Sequence, residues 1–65
     1  MARLKDGDRE RRRRSIFGWV RRSRGIKESE IADGTGLHRR VVNNYLRELA
    51  DDDEVRKEGW YWYRK

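Results

Sequence analysis

The chain has no cysteine, no proline and a single histidine among its 65 residues. Without cysteine, neither a disulfide framework nor a thiolate metal site can reinforce a small core, and a reducing, intracellular setting is the simplest expectation. Without proline there is no candidate linker, so one domain is expected. A chain this short buries only about 60% of the surface its unfolded form exposes, which keeps its stability modest. Met1 is followed by polar and charged residues with no apolar signal core. No run approaches the ~20 apolar residues that span a bilayer, so a soluble cytoplasmic protein without a membrane partner is expected. His38 has no second His, no Cys and no arranged carboxylates beside it, which leaves nothing from which to build a metal site or a general base. Gly34-Thr35-Gly36 lacks both the Lys of a phosphate-binding loop and the spacing of a dinucleotide fingerprint. With no nucleophile and base pair either, the expectation is a non-enzyme with no cofactor and no small-molecule substrate.

Charge is abundant and uneven. The net charge is +6, with 46% charged and 34% hydrophobic residues. Three Trp, three Tyr and one Phe supply the bulk for a compact core and argue against disorder. Residues 1–24 hold ten Lys or Arg against three acids, whereas residues 25–65 hold eight against nine. A small domain of this sign is drawn to polyanions, of which nucleic acid is the most abundant in a cell. Arg12 and Arg13, in the run Arg11 to Arg14, are expected to lie along a phosphate backbone or enter a minor groove as an arm; the alternative is a solvated helix face.

The periodicity predicts three helices and a hairpin behind a flexible basic leader, residues 1–7. A first helix runs from Asp8 to about Ser23, with Ile16, Phe17, Trp19 and Val20 as its apolar stripe and Gly18 as an unexplained interruption. Gly25 stops it, and Ile26-Lys27 form a short extended piece before a second helix from Glu28 to Gly34 with Ile31 and Ala32 inward. Gly34 and Gly36 supply positive φ for the sharp turn that follows, and Leu37 points back to the core. A third helix, from about His38 to Ala50, buries Val42, Leu46 and Leu49 with Tyr45 at the edge. Its outward face carries Arg39, Arg40, Asn43, Asn44 and Arg47, the side-chain types that reach base edges and phosphates, with no acid before Glu48. The run Asp51 to Glu54 ends the helix and is expected to be a solvated loop.

Val55 to Lys57 and Trp60 to Tyr63 read as the strands of a hairpin closed by Glu58-Gly59. That turn sets Val55 opposite Trp62 and Lys57 opposite Trp60 on one face, with Arg56 and Tyr61 on the other; a longer turn would swap the faces. At least two of the four rings from Trp60 to Tyr63 must be core, and Trp62 is assigned there. Trp60 and Tyr61 stay open between stacking on a nucleic acid and a protein contact.

The stretch SEIADGTGLHRRVVNNYLRELADDDEVRKEGWYWYRK resembles the winged helix-turn-helix domains of bacterial and archaeal transcription regulators. The match rests on the inward Ile-Ala pair, TGL in the turn, V..YLREL in the third helix and an aromatic hairpin after an acidic loop. The resemblance implies an α+β fold, a three-helix bundle with a helix-turn-helix and a C-terminal hairpin wing. It also implies a recognition helix in the major groove of double-stranded DNA, with Arg39, Arg40, Asn43 and Asn44 at bases or phosphates and Arg47 at a phosphate. Arg56 and Lys57 would hold the flanking backbone from the wing. His38 stands where the family often has Ser or Thr, and would offer its imidazole to a phosphate while capping the helix less well. A similar branch binds left-handed DNA and also places an Asn in helix three and a Trp in the wing, here Asn43 and Trp62. The chain lacks that branch's wing prolines and has Arg47 where an aromatic is expected, so the regulator type is the nearer resemblance.

The expected function is sequence-specific binding of double-stranded DNA by a small, nucleoid-associated transcriptional regulator, most simply a repressor. A homodimer is left open. The alternatives are a winged-helix protein-interaction module and an RNA-binding module.

Overall fold

The computed structural model describes residues 6–65. Three helices, α1 (Asp6–Arg22), α2 (Glu28–Thr35) and α3 (Arg39–Asp51), precede an antiparallel hairpin of β1 (Val55–Glu58) and β2 (Tyr61–Arg64). This is the α+β architecture expected. Of the leader at residues 1–7, residues 1–5 lie outside the described residues, and Asp6 and Gly7 belong to α1.

One core joins all five elements. Ile16 and Val20 of α1, Ile31 and Ala32 of α2, Val42, Tyr45, Leu46 and Leu49 of α3, and Val55 and Trp62 of the hairpin are buried together with Ile26. Phe17, Trp19 and Leu37 pack on its margin. Gly18 is surrounded by open space: a Cβ there would meet only the Arg22 guanidinium, at an ordinary 3.7 Å. Glycine inside a helix costs about 1 kcal/mol relative to alanine, so Gly18→Ala is expected to stabilise the domain by about that amount and to raise its melting temperature by roughly 4–8 °C. A thermal melt followed by circular dichroism checks this.

The connection from α1 to α2 is shaped by Gly25, whose φ of +120° is denied to other residues and whose missing Cβ would lie 2.6 Å from the Tyr63 ring. Ile26 then pairs with β2 as a single-residue third strand: its N–H donates to the Trp62 carbonyl at 3.1 Å, and the Trp62 N–H returns the bond at 2.8 Å. At the start of α2 the Lys27 N–H donates to the Glu30 carboxylate at 3.0 Å. Of the two glycines expected to take positive φ in the turn, only Gly36 does, at 74°. Gly34 is helical, and its role is space: a methyl group there would overlap the Trp19 ring.

His38 caps α3 in earnest, its Nδ1 accepting the Arg40 N–H at 3.0 Å. The cap is therefore stronger than the residue type suggests, because an imidazole nitrogen reaches the orphan donor that a Ser or Thr hydroxyl serves elsewhere. At the other end Asp53 takes the left-handed region at φ 65°, which Asp tolerates better than most residues. The acidic run is not a plain solvated loop. Arg13 forms ion pairs with Asp52 and with Glu54 (3.7 Å), Arg9 pairs with Glu48 at 2.6 Å, and Lys65 pairs with Asp53. These exposed pairs tie α1 and the chain end to the close of α3.

The hairpin register is Val55 with Arg64, Arg56 with Tyr63, Lys57 with Trp62 and Glu58 with Tyr61. The turn is therefore Gly59-Trp60 rather than Glu58-Gly59. Gly59 has φ 60° while Trp60 does not take positive φ, the pattern of a type II′ turn with glycine first. A shift of two in the pairing preserves faces, so Val55, Lys57 and Trp62 share one side and Arg56 and Tyr61 the other, as expected. What changes is Trp60, which leaves the ladder and stands at the tip of the wing.

Candidate nucleic-acid interface

The amphipathic pattern of α3 decides what reaches solvent. With Val42, Tyr45, Leu46 and Leu49 inward, Arg39, Arg40, Asn44 and Arg47 are exposed and Asn43 is half-buried. Asn43 turns toward α2, where its amide Nδ2 donates to the Glu28 carboxylate at 2.6 Å. That bond fixes the side chain before any ligand arrives, which lowers the ordering cost of using it. Asn44 lies on the opposite flank of α3, beside Arg47 and the α1 residue Arg9, in a shallow groove that also holds Glu48 and Asp51. Four of the five outward residues of α3 thus divide between two neighbourhoods, Arg39 and Asn43 toward α2 and Asn44 and Arg47 toward α1.

The neighbourhood nearer the wing is the more distinctive. Lys27, Glu28, Ser29, Arg39, Lys57 and Trp60 line a cleft of about 400 Å³ between the start of α2, the start of α3 and the wing. Three cations border it, and its one acid, Glu28, is already engaged by Asn43. Lys27 lies 5.6 Å from the Tyr61 ring centre and Lys57 5.6 Å from that of Trp62, so aromatic faces position both stems. Trp60 is 80% exposed, an indole without a packing role at the rim of a cationic cleft. Such a pairing of cations and a free ring suits phosphates flanking a base or sugar.

The other candidates stand apart. Arg13, on α1, is held by the acids that close α3, and Arg12 shares that helix away from the cleft. Arg56 pairs with Glu58 and lies over the Tyr63 ring at 4.9 Å, on the wing face opposite Lys57. Of the two wing residues expected at the flanking backbone, Lys57 borders the cleft and Arg56 does not, because adjacent strand residues face opposite ways. The Nδ1 of His38 is committed to the helix cap. Lys27 escaped sequence reasoning because it follows the first helix by five residues and joins the site only through the fold. The sequence does not decide between surface roles for Trp60, because the turn that exposes it depends on register.

Three helices, a tight helix-turn-helix connection and a hairpin wing make this a winged helix-turn-helix domain. No family model matches the chain, and no curated protein does. Among solved structures the chain is similar to the Zα domain of ORF112 from cyprinid herpesvirus 3, in a structure describing how that domain binds Z-DNA. The TM-score is 0.81 and the identity 29%, over 86% of this chain and 95% of that chain. The likeness is thus to the left-handed-DNA branch, not specifically to the bacterial and archaeal regulator type that the motifs suggested. Within the wing, the tryptophan presented to solvent is Trp60, whereas Trp62 is 4% exposed and belongs to the core.

Proposed function

We propose that the domain binds a nucleic-acid duplex in the left-handed form, through Lys27, Arg39 and Asn43 on the helices and Lys57 and Trp60 on the wing. The observation that carries this is the cleft at the start of α3, in which three cations and an exposed indole converge in a chain that resembles a Z-DNA-binding domain over most of its length. Binding without catalysis is the whole of the proposed activity.

A second reading is a sequence-specific regulator, most simply a repressor, with α3 in the major groove of right-handed DNA. The exposed row of Arg40, Asn44 and Arg47 along α3 favours it. Titrating an alternating dC-dG duplex with the protein separates the two. The expected result is inversion of the duplex's circular dichroism spectrum, with affinity that falls steeply with salt. Equal binding to random right-handed duplex with no inversion would sink the left-handed reading, and a sequence preference recovered by selection would establish the regulator.

A further inference from the structure

On the side of α1 turned away from the core lies a second cationic cleft, separate from the α3 site. Gly18, Arg21 and Arg22 of α1 and Arg64 at the end of β2 line about 250 Å³, and among the described residues no acid borders it. None of these arginines takes part in the ion pairs found among the described residues, unlike Arg9, Arg13 and Arg56. Arg21 lies 6.0 Å from the Phe17 ring centre and Arg22 lies 5.7 Å from that of Trp19. Those contacts hold the side chains in place without neutralising them.

Gly18 is the second observation. It has an ordinary helical φ, and a Cβ there would touch only the Arg22 guanidinium at 3.7 Å, so neither backbone geometry nor packing calls for glycine. Its cost in helix stability is matched by one evident gain, which is that a ligand can approach the helix surface between the three guanidinium groups. Guanidinium forks around such a floor suit the oxygens of a phosphodiester.

We propose that this cleft is a second phosphate-backbone site, through which one domain holds a second nucleic-acid segment while α3 holds the first. The phosphate binding stands independently of the proposed function; the bridging of two segments rests on it.

The test uses inorganic pyrophosphate and duplex DNA. Amide shifts on adding pyrophosphate are expected to concentrate at Gly18, Arg21, Arg22 and Arg64. They should vanish in the Arg21→Gln/Arg22→Gln/Arg64→Gln variant. Gly18→Gln, which keeps every arginine and favours the helix, should weaken them several-fold by filling the floor. Shifts that are absent, or equally large at the exposed Arg11 and Arg14, would overturn the site. Duplex fixed to beads should also capture a second, labelled duplex through the protein. The triple variant should lose that capture by about tenfold or more while binding the first duplex within about twofold of wild type. Pyrophosphate shifts without any duplex binding would defeat the proposed function and leave the site standing. Binding of the first duplex without bridging, or binding of phosphatidylserine vesicles at the cleft in place of duplex, would overturn the two-segment proposal.

Discussion

Truncating Trp62 to alanine is expected to leave the domain largely unfolded at room temperature. The ring is 4% exposed within a core of eleven buried residues among those described, and removing a buried Trp costs about 3–5 kcal/mol. A domain of this length has roughly 3–10 kcal/mol in total, at 0.05–0.15 kcal/mol per residue. The loss is therefore about a third of that total at the least and all of it at the low end of the range. Trp62 also carries the two backbone hydrogen bonds that attach Ile26 to the hairpin, so the α1–α2 connection should loosen with it. Trp62→Phe should cost less, because the indole Nε1 is buried without a hydrogen-bond partner among the described residues and phenylalanine removes that unsatisfied donor. Trp60→Ala should leave stability within about 0.5 kcal/mol, as expected for an exposed position. Urea unfolding of the three variants checks the ordering. A Trp62→Ala domain that still melts cooperatively near the wild-type midpoint would mean that the wing is not part of the core.

The Lys27→Gln/Arg39→Gln/Lys57→Gln variant is expected to bind duplex about 100-fold more weakly or worse, at roughly 1 kcal/mol for each cation withdrawn from a phosphate. Its dependence on salt should also become shallower by about three units in the double-logarithmic slope, one for each cation removed. All three side chains are exposed, so the helicity should not change. Adding Trp60→Ala should remove a further 1–3 kcal/mol or so if the indole stacks on a base or sugar. Arg13→Gln is the contrast: its charge is spent on Asp52 and Glu54, so affinity should stay within about twofold while stability falls by less than about 1 kcal/mol, and less at high salt. If Arg13→Gln proved as damaging to binding as the triple variant, the interface would lie along α1 and not at the cleft.

The helices were legible because their signals are local and redundant. Ile16 and Val20, and Val42, Leu46 and Leu49, repeat at helical spacing, and all are buried as that spacing requires. Composition alone identified a basic, aromatic-rich domain without cysteine, and the outward residues of α3 followed from the inward ones. The hairpin was half legible. Its faces were correct because a pairing error of two residues leaves them unchanged, while its turn was misplaced because Glu58-Gly59 and Gly59-Trp60 both put glycine where positive φ is allowed.

What the amino-acid sequence determined by itself was whatever depends on residues within a turn or two of one another: element order, inward faces, the helix-turn-helix and the sign of the charge. Tertiary structure decided which charges are free. Arg13 and Arg21 look alike in the sequence, yet the first meets the acids that close α3 and the second meets a phenylalanine ring beside a bare glycine. It likewise brought Lys27 to Trp60 across the cleft and set Trp60 at the exposed tip of the wing. Charge neutralisation and exposure are properties of pairs distant along the chain, and only packing of the elements brings such pairs within reach.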